Sequence, residues 1–302
     1  MKQKTLIAIV GPTAIGKTAM AIQVANHFKT EIISADSRQF YREMTIGTAK
    51  PSMEELAAAP HHFVDSHSIE QDYSAGDFER DVLALLEKLF QIHDVVVLVG
   101  GSGLFVKAVC EGLDNLPKPL PGVRDRLNNR FEAEGIEVLQ TYLREVDPEY
   151  FEEVDRSNSQ RVIRALEVYE STGKPFSFYR QNTTAKRPFN IITIALNTDR
   201  EKLYDRINRR VDTMVAAGLI DEVKSLVNYK DKPALLTVGY AEIFDYLACI
   251  LTWDEAIDRI KQNSRRYAKR QITWFKKGGD AVWFEPQDIE QVLDYIQKKL
   301  KA

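Results

Sequence analysis

Apolar residues enter this chain in short unbroken runs. TLIAIVG (5–11), EIISAD (31–36) and VVVLVGG (95–101) are of strand length and apolar on both faces, as strands of a parallel sheet covered by helices are. Helical patterns separate them, one from Gly16 to about Phe28 and an amphipathic one near 76–91. This alternation predicts an α/β, doubly wound, mainly parallel core. LPKPLPG (116–122), with three prolines in seven residues, breaks the pattern and reads as a linker. From 123 to about 180 the periodicity is helical without a strand. One helix there is expected to start at Ser157 or Ser159, carry a stripe of Val162, Ile163, Leu166 and Tyr169, and end at Gly173 and Pro175. NIITIAL (190–196) restores the strand pattern and AVWF (281–284) offers a last one. The chain is therefore expected to form a discontinuous core, 1–112 and 189–302, carrying a helical insertion at 113–188.

With 302 residues the chain can bury a large core, and 44% hydrophobic with 28% charged residues is ordinarily globular. The two cysteines, Cys110 and Cys249, exclude a four-cysteine zinc site and a disulfide framework, and they suit a reducing cytoplasm. MKQKTLIAIVGPT begins basic and then apolar, as a signal peptide does. Its apolar stretch is short and lacks a cleavage site, so it reads as a buried first strand. No apolar run approaches the ~20 residues of a membrane span. A formal net charge of −3 carries no global signal for nucleic acid, so any such signal must be local.

GPTAIGKT (Gly11, Pro12, Thr13, Ala14, Ile15, Gly16, Lys17, Thr18) fits the phosphate-loop pattern G-x-x-x-x-G-K-[ST], whose usual ligand is ATP or GTP. The glycines let backbone N–H groups turn inward, the helix N-terminus adds partial positive charge, Lys17 adds a full one, and Thr18 offers a hydroxyl to Mg2+. A nucleotide hydrolase also needs an acid after a neighbouring apolar strand. Here VVVLVGGSG ends in glycines, and the acid that follows a strand is Asp36. It is expected at the same C-terminal sheet edge as the loop, as a helix cap, a magnesium contact or a general base.

Between Arg259 and Lys277 stand eight basic residues and no acidic one. Ile257, Ile260, Ser264, Tyr267, Gln271 and Trp274 fall at helical spacing as a buried seam, which leaves Arg259, Arg266, Arg270 and Lys277 on other faces. In a chain of net charge −3 this is a local footprint for a polyanion. Arg161 and Arg164, with Arg124, Arg126 and Arg130, are expected to add a second cationic surface from the insertion. HHFVDSH (61–67) has the composition of a metal cluster. Read as extended, however, its alternate residues diverge, so hydrogen bonding is the expected role. Arg206 and Arg210, four apart, either pair with local acids or neutralise a leaving phosphate.

Together these motifs resemble the bacterial tRNA dimethylallyltransferases (tRNA isopentenyltransferases) over nearly the whole chain. GPTAIGKT (11–18), DSRQFY (36–41), IGTAKP (46–51), HHFVD (61–65), VGGSGLF (99–105), QRVIRALEVY (160–169), VGYAE (238–242) and AKRQITWF (268–275) occur in the family's order. Ser102 and Phe105 stand where the family pattern has threonine and tyrosine, RSNSQR lacks its Asn-Asp pair, and Phe40 replaces an aliphatic residue. The two cysteines leave out the zinc finger of eukaryotic relatives.

The resemblance implies transfer of a dimethylallyl group from dimethylallyl diphosphate to the exocyclic amine of the adenosine just 3′ of the anticodon. It makes Asp36 the base, and it makes the loop, Lys17, Thr18, Mg2+ and Arg210 the clamp on the leaving diphosphate. It puts Asp36, Ser37, Arg38, Gln39, Ser102, Arg124, Gln160, Arg161, Val162, Ile163 and Arg164 at the tRNA anticodon stem-loop. The basic segment at Arg266, Lys269 and Arg270 is expected there as well. A cytoplasmic monomer without membrane contact is expected. An isopentenyltransferase of free adenine nucleotides, a P-loop kinase of a small metabolite and a nucleotide-dependent RNA-binding protein are the alternatives.

Overall fold

The computed structural model describes residues 3–181 and 184–301. Two compact units emerge: one joins the chain up to Glu111 with the chain from Lys186 onward, and the other is Gly112–Ala185. The first unit opens with β1 (Thr5–Val10), α1 (Lys17–Phe28), β2 (Ile32–Ser34), α2 (Met53–Ala58), β3 (His61–His62), α3 (Ala75–Ile92), β4 (Val95–Gly100) and α4 (Gly103–Glu111). The second holds α5 (Val123–Glu134), α6 (Ile136–Val146), α7 (Pro148–Glu153), α8 (Ser159–Thr172) and α9 (Phe176–Tyr179). The first unit resumes with β5 (Asn190–Leu196), α10 (Arg200–Ala216), α11 (Leu219–Ser225), α12 (Ala241–Leu247), α13 (Trp253–Lys277), β6 (Val282–Phe284) and α14 (Ile289–Lys301).

Among the described residues the strands form one parallel sheet in the order β3-β2-β4-β1-β5-β6. The doubly apolar runs explain it. Ile7 and Ile9 of β1 pack on one face with Met20 and Val24 of α1 and Ile296 of α14. Leu6, Ala8 and Val10 pack on the other with Phe78, Val82 and Leu86 of α3. Alternate residues of one strand thus feed two cores. Each fully buried Leu or Ile contributes about 1.5–3 kcal/mol. EIISAD yields only Ile32–Ser34 as strand, because after Ala35 the chain turns away at Asp36. Among the described residues no helix is long and apolar enough to cross a membrane.

Helix α13 departs from the expected seam. Ala256, Ile260, Ala268, Gln271 and Phe275 are buried, whereas Tyr267 and Trp274 are 37% and 42% exposed. The small Ala256 and Ala268 bring the helix close to the rest of the unit and rotate the aromatic positions off the core. A count of large apolar residues misses that. At the start of α13 the Thr252 hydroxyl and the Glu255 carboxylate form a reciprocal cap.

The Gly112–Ala185 unit has its own core, in which Val123, Leu127, Leu139, Leu143, Val162, Ile163 and Leu166 pack together. Its helix α8 is capped neither by Ser157 nor by Ser159. Asn158 accepts the Arg161 N–H at 3.2 Å, while the Ser157 hydroxyl is engaged with Asp155 at 2.7 Å. Gly173 closes the helix in the left-handed conformation with φ 71°, and Tyr169 is only half-buried. The proline-rich 116–122 stretch forms neither helix nor strand.

Candidate active site

Three loops meet at the C-terminal edge of the sheet because their strands are neighbours: β1 pairs with β4, and β4 with β2. After β1 comes the phosphate loop, ending at Gly16 in a left-handed conformation (φ 103°). No side chain caps α1 there, unlike α2, α3 and α13, whose first turns are closed by serine or threonine. The first-turn N–H groups of α1 are left for an anion. The Lys17 ammonium donates to the Pro12 carbonyl at 2.7 Å. Burial pulls its pKa down to about 8, the Asp36 carboxylate opposes that fall, and the Arg210 guanidinium adds to it.

Asp36 stands after β2, and its Oδ1 accepts the Arg38 N–H at 3.0 Å. The glycines that end β4 are required by the approach of this segment. A Cβ at Gly100 would lie 2.4 Å from the Ala35 carbonyl oxygen. An acidic residue at that strand end is therefore sterically excluded, and the acid of the site comes from β2 instead. Ser37 and Ser102 tie the two loops together, the Ser37 N–H donating to Ser102 Oγ at 3.1 Å and the Ser102 hydroxyl to Ser37 Oγ at 3.2 Å. The Gln39 side-chain amide is engaged with the carbonyls of Thr48 and Ala49.

Two adjoining cavities share Thr13, Ala14, Asp36, Arg210 and Tyr267 in their walls. The larger, about 560 Å³, is cationic: Lys17 and Thr18 line it with Arg206, Arg209 and Arg210 of α10. The smaller, about 200 Å³, has an apolar side made by Ile207, Val211, Met214, Val238 and Ile260. Asp36 stands at their junction. Arg209 is paired with Asp205. Among the described residues Arg206 and Arg210 form no ion pair closer than 4.0 Å. Burial lowers the Arg210 pKa, and Asp36 and Glu55 push it back up.

Among the described residues no cluster of three or more His, Cys, Asp or Glu is arranged to hold a metal ion. A magnesium ion beside Thr18 would take its other oxygens from a bound phosphate and from water, its usual donor set. HHFVDSH is not extended as expected. Only His61 and His62 form strand, and Phe63 and Asp65 turn with φ 61° and 53°. That turn parts the rings: His62 meets Glu31 at 2.6 Å, and His67 lies against Tyr73 with ring centroids 3.8 Å apart.

The remaining predicted residues fall into two groups. On α13, Arg266, Lys269 and Arg270 are exposed. Within the Gly112–Ala185 unit, Gln160 and Arg161 are exposed, but Val162 and Ile163 are 0% exposed core residues. Their side chains pack the unit and cannot touch nucleic acid, which corrects the expectation. Arg124 and Arg164 share the buried Glu167 carboxylate, at 3.3 and 2.7 Å, and Arg124 also donates to Gln160 at 2.7 Å. Arg126 pairs with Glu170 and Arg130 with Glu134, so much of this unit's positive charge is matched internally. Sequence reading missed Glu167, although its spacing of three from Arg164 was a visible signal.

A family model described as IPP transferase matches residues 39–278. A tRNA dimethylallyltransferase of Christiangramia forsetii is 52% identical to this chain, over 98% of the chain and 99% of that protein. One of Cytophaga hutchinsonii is 49% identical, over 99% and 98%. Among solved structures, a tRNA isopentenylpyrophosphate transferase from Bacillus halodurans matches with a TM-score of 0.74 at 38% identity, covering 99% of this chain and 97% of its own. A eukaryotic dimethylallyltransferase acting on tRNA matches with a TM-score of 0.77 at 27% identity, over 95% and 75%.

Proposed function

The chain belongs to the IPP transferase family, and from that premise we propose that it moves a dimethylallyl group from dimethylallyl diphosphate to tRNA. The acceptor is the exocyclic amine of the adenosine just 3′ of the anticodon. The observation that carries this reading is the position of Asp36 where a cationic cavity floored by the phosphate loop meets a smaller one with an apolar side. The polar chamber suits the diphosphate, and the apolar one suits the allylic carbons and the purine.

The chemistry follows from that division. As the new carbon–nitrogen bond forms, the allylic carbon–oxygen bond breaks and its electron pair leaves with the diphosphate. The amine proton passes to the Asp36 carboxylate. An adenine amine is a weak nucleophile because its lone pair is delocalised, and a positioned base contributes typically 10²–10⁴-fold. Lys17, Arg210 and the open N–H groups of α1 meet the charge that grows on the departing phosphates, inside a site where such donors act most strongly. Magnesium, held by Thr18 and the phosphates, would supply further charge neutralisation there.

The purine must leave its stack to enter the site, at a cost of a few kcal/mol. The exposed Arg266, Lys269 and Arg270 suit the phosphate backbone of the anticodon stem-loop, with Ser37, Arg38 and Ser102 nearer the reacting base. That exposed cationic face favours tRNA over a free adenine nucleotide, which would leave it without a partner. A cytoplasmic monomer completes the reading.

The test is to incubate the protein with Mg2+ and dimethylallyl diphosphate labelled in the allyl group, offering unmodified tRNA, AMP, or ATP alone. Label is expected in tRNA at the adenosine following the anticodon. Label only in AMP, or phosphate released from ATP without prenylation, sinks the proposal.

A further inference from the structure

One residue of the cationic helix holds the phosphate loop from the side. Gln271 of α13 is 6% exposed, and both ends of its amide are engaged. Its Oε1 accepts the Thr13 N–H at 2.8 Å, and its Nε2 donates to the Gly101 carbonyl at 2.9 Å. Thr13 lies in the loop after β1 and Gly101 in the turn after β4. One amide therefore bridges two strand-end loops that pairing of β1 with β4 sets side by side. Its orientation is dictated by its partners, since an N–H needs the oxygen and a carbonyl needs the amino group. The fit is close: a Cβ at Gly101 would lie 2.4 Å from Gln271 Nε2 and 3.4 Å from Lys17 Nζ.

This arrangement constrains how the loop can bind an anion. A phosphate loop works by aiming successive N–H groups at one point, and each aim depends on the backbone dihedrals before it. Gln271 takes the Thr13 N–H out of that set and fixes the peptide from which Ala14, Ile15 and Gly16 continue. We propose that Gln271 is a positioning residue for the donor: by tying Thr13 to Gly101, it holds the phosphate loop in the shape that receives diphosphate. Its Oε1 and one of its two N–H groups are occupied by backbone, so its hold on the loop is set by those two bonds even though the side chain also reaches the wall of the larger cavity. The proposal rests on the reading of this loop as the site of the donor's diphosphate.

The experiment measures binding of inorganic diphosphate with Mg2+ by calorimetry, together with KM for dimethylallyl diphosphate and for tRNA. It compares wild type, Gln271→Leu and Gln271→Glu. Wild type tests the underlying reading, which fails by itself if no diphosphate binds. Given binding, Gln271→Leu is expected to weaken diphosphate and raise the donor KM about tenfold, as loss of the bridging hydrogen bonds implies. KM for tRNA should stay within about twofold, since the exposed face of α13 is untouched.

Gln271→Glu keeps the acceptor for Thr13 but sets a carboxylate against the Gly101 carbonyl and near the phosphates. Its loss should be larger at neutral pH and should shrink as acid protonates the carboxyl and restores a donor. Packing alone would not produce that recovery. Unchanged diphosphate affinity in the folded variants overturns the proposal. So does an equal loss in both KM values without recovery of the glutamate variant in acid. Should the leucine variant fail to fold, Gln271→Met takes its place, with the same expected loss of diphosphate affinity and the same overturning result.

Discussion

Glu222 of α11 accepts the Tyr240 hydroxyl at 2.6 Å, and the same carboxylate takes the N–H groups of Thr45, Ile46 and Gly47 at 2.9, 2.7 and 3.0 Å. Burial, and then the Glu222 charge, keep that hydroxyl protonated by raising its pKa. One side chain thus fixes the backbone that leads into Gly47 and Thr48, both in the wall of the smaller cavity. Glu222→Ala leaves the buried Tyr240 hydroxyl without its acceptor and is expected to cost about 2–4 kcal/mol of stability. Chemical denaturation reads that loss, and an unchanged midpoint would show the loop to be held by other means.

Asp36→Ala should lower kcat by about 10²–10⁴-fold if Asp36 is the base, while tRNA affinity stays near that of wild type. Single-turnover transfer and filter binding measure the two quantities separately. Undiminished turnover would remove Asp36 from the mechanism.

Lys17 gives the site a pH dependence of known sign. Burial lowers its pKa to about 8 in the unliganded protein, so its charge is present below that pH and lost above it. Bound diphosphate favours the ammonium, and binding should take up a fraction of a proton near pH 8. Diphosphate affinity is expected to fall as pH rises through this range. Lys17→Arg, whose guanidinium stays charged, should lack that step, and comparing the two cancels the titration of diphosphate itself. Identical pH profiles would mean that Lys17 does not bear on the anion.

Arg266 and Arg270 are exposed on α13. Neutralising both should weaken tRNA binding and flatten the plot of log affinity against log salt by about 1 per residue. An unaltered slope would show that this face does not meet the phosphate backbone.

Much of the site was legible because its signals are local. The phosphate loop needs glycine, lysine and threonine at fixed spacing, and Asp36, just after the strand Ile32–Ser34, has its carboxylate at the same edge of the sheet. The charge excess between Arg259 and Lys277 is likewise visible in one dimension. Reading failed where packing or a pairing partner decided the outcome. The spacing of Val162 and Ile163 marked them as a helix stripe, and the insertion's own core claims them, so the tRNA contact that the family motif implied for their side chains does not follow. Arg124 and Arg164 looked like free charge until Glu167 was found between them. Tyr267 and Trp274 had the spacing of a buried seam, but Ala268 brought a different face of α13 inward.

By itself the sequence determined the alternation of strands and helices, the anion-binding loop and its lysine, and the acid after β2. Each of these depends on residue type at short range: doubly apolar runs, glycine's freedom, the placement of one charge. Only the tertiary structure decided that β4 lies between β1 and β2, so that Asp36, the phosphate loop and the Gly101 turn share one edge. It alone brought Gln271 to Thr13 and Glu222 to the backbone of residues 45–47. Those contacts join residues far apart in the chain. They form only once the cores are packed and a buried N–H or hydroxyl has to find its partner.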